Sequence, residues 1–163
     1  MIGLEQFDAL CDIEQDVINL ASEGLGTDRI ARALDIKPSV VSRNTRSLLG
    51  KLEVKQGGLL RVVGLACRAG FFRKELGLRP ASRSLWVPEI LAVHLVAECY
   101  TQAQDARIRD VTVTEVARDR SRAHGALGTL TLPHLVRRSH ELDYLPLALE
   151  LAELLPPLPV TEP

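Results

Sequence analysis

Apolar residues recur at helical spacing along the N-terminal part of the chain, and turn-forming residues separate the runs. The pattern predicts a helix that begins at Asp12 and ends with Gly24 as its C-terminal cap. Thr27 is placed to cap a second helix over residues 27–34. A further helix is predicted at residues 57–69 and stops at Gly70. The short intervals between these runs indicate packed helices joined by tight turns.

Between them, a helix is predicted from Pro38, because proline fits the first helical position without loss of a hydrogen bond. Val41, Leu48 and Leu52 lie at i, i+7 and i+11, which places them in one buried stripe. The opposite face of this helix carries small polar and basic residues: Ser39, Ser42, Arg43, Arg46 and Gly50. Two helices separated by a short turn, the second with an exposed basic face, are typical of a helix-turn-helix.

The C-terminal half is also predicted to be helical, but it carries fewer motifs. Residues 73–87 lack a clear period and are interpreted as a linker, and residues 156–163 as an extended, proline-rich tail. Helices are predicted between them at residues 88–100, 114–122, 133–142 and 146–155. No internal repeat is recognised. The sequence therefore predicts an all-α protein, with a four-helix helix-turn-helix domain at residues 1–72 and a helical domain at residues 88–155.

A second helix-turn-helix in this half, with helices near residues 113–117 and 132–138, is disfavoured by the spacing of the sequence. The interval between the two segments is longer than the usual turn, and Gly125 and Gly128 lie within it. The last predicted helix is apolar nearly all round, which indicates burial either in the domain's own core or in a subunit interface. The C-terminal domain is therefore expected to serve oligomerisation or partner binding.

The composition fits a globular helical protein and shows no catalytic pattern. Hydrophobic residues make up 46% of the chain and aromatic residues 4%, so the core must be built from aliphatic side chains. No apolar run is long enough to span a membrane and no signal peptide is recognised, which favours the cytoplasm. We find no catalytic motif, phosphate-binding glycine loop or metal-ligand spacing, so neither an enzyme nor a cofactor is expected. The cysteines are predicted to fill small gaps in the core: Cys11, Cys67 and Cys99.

Charge is distributed unevenly along the chain, although the net charge is only −1. Residues 1–26 carry six acidic residues and no lysine or arginine, for a net −6. Residues 27–84 carry thirteen basic and four acidic residues, for a net charge of +9. Residues 85–163 carry seven basic and eleven acidic residues, for a net charge of −4. The excess positive charge coincides with the predicted helix-turn-helix, as a phosphate-binding surface requires.

Four segments occur in the order and spacing of a known DNA-binding module: residues 16–25 (DVINLASEGL), 27–34 (TDRIARAL), 36–44 (IKPSVVSRN) and 51–54 (KLEV). They carry, in register, a glycine-leucine turn, a D-x-I-A-x-x-L second helix and a K-L-x-V ending. Residues 12–72 thereby resemble the LuxR/GerE-type helix-turn-helix domain, a four-helix DNA-binding module of bacterial regulators. Three positions depart from the family: Asn44 stands where it usually has histidine, Lys37 where it often has a capping serine, and Glu53 where it prefers glycine.

The resemblance implies double-stranded DNA as a partner and assigns roles to particular residues. Ser42, Arg43 and Arg46 fall where the family contacts bases, and arginine can bind guanine bidentately. The fourth helix falls where many members dimerise, so we expect a homodimer, or a regulatory protein partner bound through the C-terminal half. The side chains predicted to contact phosphates flank the base-contacting residues: Thr27, Lys37, Ser39, Lys51 and Lys55.

The sequence therefore predicts a sequence-specific DNA-binding transcriptional regulator, with the helix at about residues 38–52 in the major groove. The alternative is a helical interaction subunit of a regulatory protein complex with little intrinsic DNA binding, because helical bundles of this kind also serve as docking modules.

Overall fold

The computed structural model describes residues 2–72 and 80–145, together with Leu147 and Leu151. Within these residues all regular structure is helical, which confirms the predicted all-α fold class. The predicted tail at 156–163, residues 73–79 of the predicted linker and most of the predicted helix at 146–155 lie outside the described residues. The helices are α1 (Leu4–Asp8), α2 (Asp12–Ser22), α3 (Thr27–Ala33), α4 (Pro38–Lys51), α5 (Gly58–Arg68), α6 (Val87–Ala97), α7 (Gln102–Arg109), α8 (Val113–Leu127) and α9 (Leu132–Glu141).

The helices begin at capping residues, and these differ in part from the prediction. The expected cap at Thr27 is wrong, since Gly26 is the N-cap of α3 and Thr27 is the first helical residue. In the C-terminal half, three threonines cap helices: the side-chain oxygen of each accepts a hydrogen bond from the backbone amide three residues further on. These threonines are Thr101 (3.2 Å), Thr112 (3.2 Å) and Thr131 (3.4 Å). Pro38 opens α4, as predicted.

Helices α2, α3 and α4 each end in a turn closed by a residue with left-handed backbone. Those residues are Gly24 (φ +92°), Asp35 (φ +53°) and Glu53 (φ +53°). After α4, the amide of Val54 donates to the carbonyl of Leu49 at 2.9 Å, a bond of the Schellman motif. Glu53 therefore adopts the conformation that glycine favours, at the position where the LuxR/GerE-type module prefers glycine.

The core of the N-terminal half lies between α2, α3, α4 and α5. The stripe predicted on α4 is confirmed, because Val41, Leu48 and Leu52 are at most 2% exposed. Val17 and Ile18 of α2 meet this stripe in one apolar cluster with side chains from α3 and α5. Packing on three sides fixes which face of α4 points outward.

Helices α6–α9 repeat the arrangement of α2–α5. Helices α2, α3 and α4 begin at residues 12, 27 and 38, and α6, α7 and α8 begin at residues 87, 102 and 113, a constant offset of 75 residues. In both sets the first helix packs against the third and the fourth, the second against the third, and the third against the fourth. The expectation that the chain has no internal repeat is therefore wrong. We call α2–α5 repeat 1 and α6–α9 repeat 2.

The two repeats pack against each other through their fourth helices, α5 and α9. Helix α9 also contacts α2, and α5 also contacts α6, so each repeat uses the same two helices toward the other. Arg137 of α9 is buried at this interface, donates to Ser22 Oγ at 2.8 Å and lies 4.9 Å from the Phe72 ring centre. The predicted domain boundaries stay a prediction, but the two halves of the chain share an extensive contact.

The segment between α8 and α9 is shorter than the sequence suggested. Helix α8 continues through Gly125 to Leu127, which leaves only residues 128–131 between the two helices. The predicted long interval between the two helices is therefore wrong, and their spacing does not exclude a helix pair. Helix α9 is nevertheless unsuited to contact DNA, because it packs against α2, α5, α6 and α8 and buries Leu135 and Val136 completely.

Replacing Glu53 by glycine tests the strained end of α4. We expect Glu53→Gly to raise the free energy of unfolding by about 0.5–1 kcal/mol, because glycine adopts positive φ without a Cβ clash. Urea denaturation of the full chain measures the change. Glu53→Ala is the matched control, since it removes the same carboxylate but keeps the Cβ. Equal stabilisation by both variants would show that charge, and not backbone strain, is responsible.

Candidate nucleic-acid interface

Helices α3 and α4 form a pair joined by residues 34–37. Leu34 and Ile36 are half-buried and pack against the core of repeat 1, which anchors the turn at both ends. Between them, Asp35 takes a left-handed conformation, and the amide of Ile36 donates to the carbonyl of Ala31 at 2.9 Å. The chain reverses within this turn, so that α3 packs directly on α4.

The outward side of α4 carries the residues predicted to contact bases. Ser39, Ser42, Arg43 and Arg46 are all exposed, and we call this surface the α4 face. Ser42 Oγ donates to the carbonyl of Pro38 at 3.1 Å. Among the described residues, neither Arg43 nor Arg46 makes a side-chain hydrogen bond or an ion pair. Both guanidinium groups therefore keep all their donors available to a ligand.

The residues predicted to contact phosphates are also exposed, and they belong to different parts of the helix pair. Thr27 begins α3, while Lys37 is the N-cap of α4 and makes no capping side-chain bond. Lys55 follows the C-terminal turn of α4. Lys51 differs from the rest, since its ammonium lies 2.7 Å from a carboxylate oxygen of Glu14. Part of its charge is thus matched within the protein.

Glu14 fixes the rotation of α4 against α2, a role that was not predicted from the sequence. Its side chain is 1% exposed and accepts hydrogen bonds from Ser47 Oγ at 2.8 Å and Lys51 Nζ at 2.7 Å. It also accepts from the amide of Cys11 at 3.0 Å, which places it in a capping box at the start of α2. A glutamate at the third position of a predicted helix is the signal that could have revealed it.

The environment of Glu14 keeps its carboxyl group ionised. Burial alone would raise the pKa, but the hydrogen bonds from Lys51, Ser47 and Cys11 outweigh it and lower the pKa of Glu14 to about 2. The same contact with Glu14 raises the pKa of Lys51. The pair is therefore charged throughout the physiological range and holds α4 to α2.

The net charge of the helix pair favours a polyanion. Residues 27–55 hold seven basic and three acidic residues, and α4 itself contains no acid. The acidic residues lie elsewhere on α3 and in the turns: Asp28, Asp35 and Glu53.

In the part of the chain that the structure describes, no group of three or more histidine, cysteine or acidic side chains could hold a metal ion. Nor does any helix there have the length and apolar character needed to cross a bilayer.

Neither the sequence nor the structure of this chain matches a family model, a curated protein or a solved structure. The resemblance of residues 12–72 to the LuxR/GerE-type module accordingly stays a prediction.

Glu14→Gln tests the buried pair through its pH dependence. The folded chain holds Glu14 ionised down to a pKa of about 2, against an ordinary value of 4.5. Its contribution to stability is therefore complete above pH 4.5 and is lost as the pH falls toward 2. At pH 7 we expect the variant to be less stable by about 1–3 kcal/mol. Urea denaturation from pH 7 to pH 3 should show the two proteins converging; a constant difference would contradict the account.

Proposed function

We propose that this protein is a sequence-specific DNA-binding transcriptional regulator, in which α3 and α4 form a helix-turn-helix and α4 enters the major groove. The observation that carries the proposal is the α4 face. It presents two arginines without partners among the described residues, on a helix without acidic residues whose other side is sealed in the core. A helix with one buried side and one basic, exposed side fits the dimensions and the charge of a major groove.

Each exposed residue of the pair has a role in this proposal. Arg43 and Arg46 bind base edges, each with the capacity for a bidentate bond to guanine, and Ser42 adds a shorter contact near the start of the helix. Thr27, Lys37, Ser39 and Lys55 contact phosphates and set the register of the helix along the groove. Lys51 also contacts a phosphate, but its ammonium group is already paired with Glu14, so this contact is the weakest of the set.

A regulatory role is favoured by the kind of module that residues 12–72 resemble, since LuxR/GerE-type domains serve bacterial regulators. The resemblance also assigned dimerisation to the fourth helix. In this chain α9 packs against that helix, α5. A homodimer would therefore use another surface, or a face of α5 that α9 leaves open.

A helical interaction subunit is the second candidate, and two exposed apolar side chains favour it. Trp86 is 70% exposed and Leu130 is 75% exposed, although single exposed apolar residues are common on protein surfaces. Such a subunit would bind a protein through these side chains and bind DNA weakly. The strength and the salt dependence of DNA binding separate the two candidates.

Substitution of the two arginines tests the DNA-binding surface. A duplex selected from a random pool by the full-length protein serves as the ligand, with fluorescence anisotropy as the readout. We expect Arg43→Ala and Arg46→Ala each to weaken binding to the selected duplex by about tenfold, or about 1.4 kcal/mol, which lies within the range of about 1–3 kcal/mol for a bidentate base contact. Binding to unselected duplex should weaken much less, which lowers the specificity ratio.

Arg43→Lys is the matched control, because it keeps the positive charge and loses the planar pair of donors. We expect it to lose specificity while keeping the salt dependence of the wild type, whereas Lys37→Ala should lower the slope of log affinity against log salt by about one. Undiminished binding and specificity in both alanine variants would eliminate the α4 face as the DNA-binding surface.

A further inference from the structure

Repeat 2 matches repeat 1 at individual residues as well as in the starts of its first three helices, at the same offset of 75 positions. The buried Glu14 corresponds to Glu89, which is also buried and also accepts from the amide of the residue that caps its helix, Trp86, at 2.9 Å. Asp35 corresponds to Asp110, and both have φ of +53° at the end of the second helix. Further identical pairs link α3 and α4 to α7 and α8: Ala31 and Ala106, Arg32 and Arg107, Val41 and Val116, Arg43 and Arg118, Gly50 and Gly125, and Leu52 and Leu127.

The equivalence fixes which side of α8 points outward. The stripe of α4 at 41, 48 and 52 corresponds to Val116, Ala123 and Leu127, which are at most 4% exposed. Because the same positions are buried, the two helices have the same rotation about their axes. The exposed side of α8 accordingly lies where the α4 face lies on α4. We call it the α8 face: Thr114, Arg118, Ser121 and Arg122.

The α8 face carries two arginines and no acid, and the acids nearest to it have hydrogen-bond partners of their own, although Glu115 and Glu89 also attract Arg118 and Arg122 electrostatically. Glu115 accepts from the amide and the hydroxyl of Thr112, both at 2.8 Å, in the cap of α8. Asp119 accepts from Arg109 at 3.0 Å. Arg118 makes no side-chain hydrogen bond or ion pair with any described residue, as is true of its counterpart Arg43. Arg118 and Arg122 thus face solvent one helical turn apart on α8. Arg118 is the counterpart of Arg43, whereas Ser121 corresponds to Arg46 and Arg122 corresponds to Ser47.

We propose that α8 is a second DNA-reading helix, so that one chain carries two helix-turn-helix units and binds two sites in the same duplex. This inference rests on the proposed function of α4 and extends it to a surface that neither sequence motifs nor the resemblance assigned. Arg118 and Arg122 bind base edges, and Thr114 corresponds to Ser39 as a phosphate contact. The α8 face is suited to double-stranded DNA because its charge complements phosphate and its shape repeats that of α4.

The packing of the repeats explains why a single chain suffices. Helix-turn-helix proteins commonly place two reading helices on one duplex by dimerising. Here the fourth helices, α5 and α9, join the repeats within one chain, and each repeat uses the same two helices in the contact. Arg61 and Arg68 of α5 also contact Glu98, at the start of the turn after α6, which ties repeat 2 to repeat 1 a second time. The chain is thus an internal counterpart of such a dimer.

Equivalent substitutions in the two repeats test this inference. The full-length protein, Arg43→Ala and Arg118→Ala are compared on one duplex, selected from a random pool by the wild type. Hydroxyl-radical footprinting maps the protected stretches, and sedimentation equilibrium gives the number of chains per duplex. We expect one chain per duplex and two protected stretches. Arg118→Ala should weaken binding about tenfold and weaken protection of one stretch, and Arg43→Ala should do so at the other.

The controls separate a lost contact from a lost fold. Arg118 is exposed and unpaired among the described residues, so the variant should keep the wild-type circular dichroism and urea midpoint. Arg118→Lys keeps the positive charge, so it should retain nonspecific DNA binding. It should lose sequence preference in the protected stretch of DNA that Arg118 contacts. If Arg118→Ala keeps the wild-type affinity and footprint while Arg43→Ala is impaired, α8 is not a DNA-reading helix. That result would contradict this inference but not the proposed function. Wild-type behaviour in both alanine variants would overturn both. A two-chain complex with a single stretch protected by each chain would also refute the inference.

Discussion

The rotation of α4 about its own axis is the constraint on which the rest of the account depends. Val41, Leu48 and Leu52 bury one side of the helix, and the hydrogen bonds of Glu14 hold it against α2. A rotation of α4 about its axis by one residue position would move Arg43 or Arg46 toward the core, at a large desolvation cost. The exposed arginines are therefore a consequence of the buried stripe. The same stripe, at Val116, Ala123 and Leu127, orients α8.

The contact between the repeats is the second feature that gives the molecule its form. Arg137 is buried between α9 and repeat 1, where it bonds to Ser22 and, at 2.8 Å, to Glu141. A buried guanidinium is tolerated only with such partners, because an unpaired charge in the interior is costly. Because hydrogen bonds are directional, this polar network fixes the orientation of α9 against α2. It thereby sets the relation between the two outward faces that the proposal assigns to DNA.

Much of repeat 1 could be predicted from the sequence because its apolar positions follow a helical period, as the stripe on α4 shows. The helix ends were harder, since Asp35 and Glu53 take left-handed conformations that usually indicate glycine. Helix α7 was not predicted because the buried Asp105, paired with Arg109 at 2.7 Å and Arg120 at 3.0 Å, stands where α3 has Ile30. An ion pair in place of an aliphatic contact breaks the apolar period, and that also concealed the repeat.

The most direct test of the central claim is a nuclear magnetic resonance titration of the full-length protein, labelled with ¹⁵N, with its selected duplex. The account predicts that the largest changes fall on the backbone amides of α4 and on the side-chain Nε–Hε signals of Arg43 and Arg46, while the amides of the buried helix α9 change little. Unchanged α4 signals at saturating duplex, with the shifts confined to other surfaces, would contradict it.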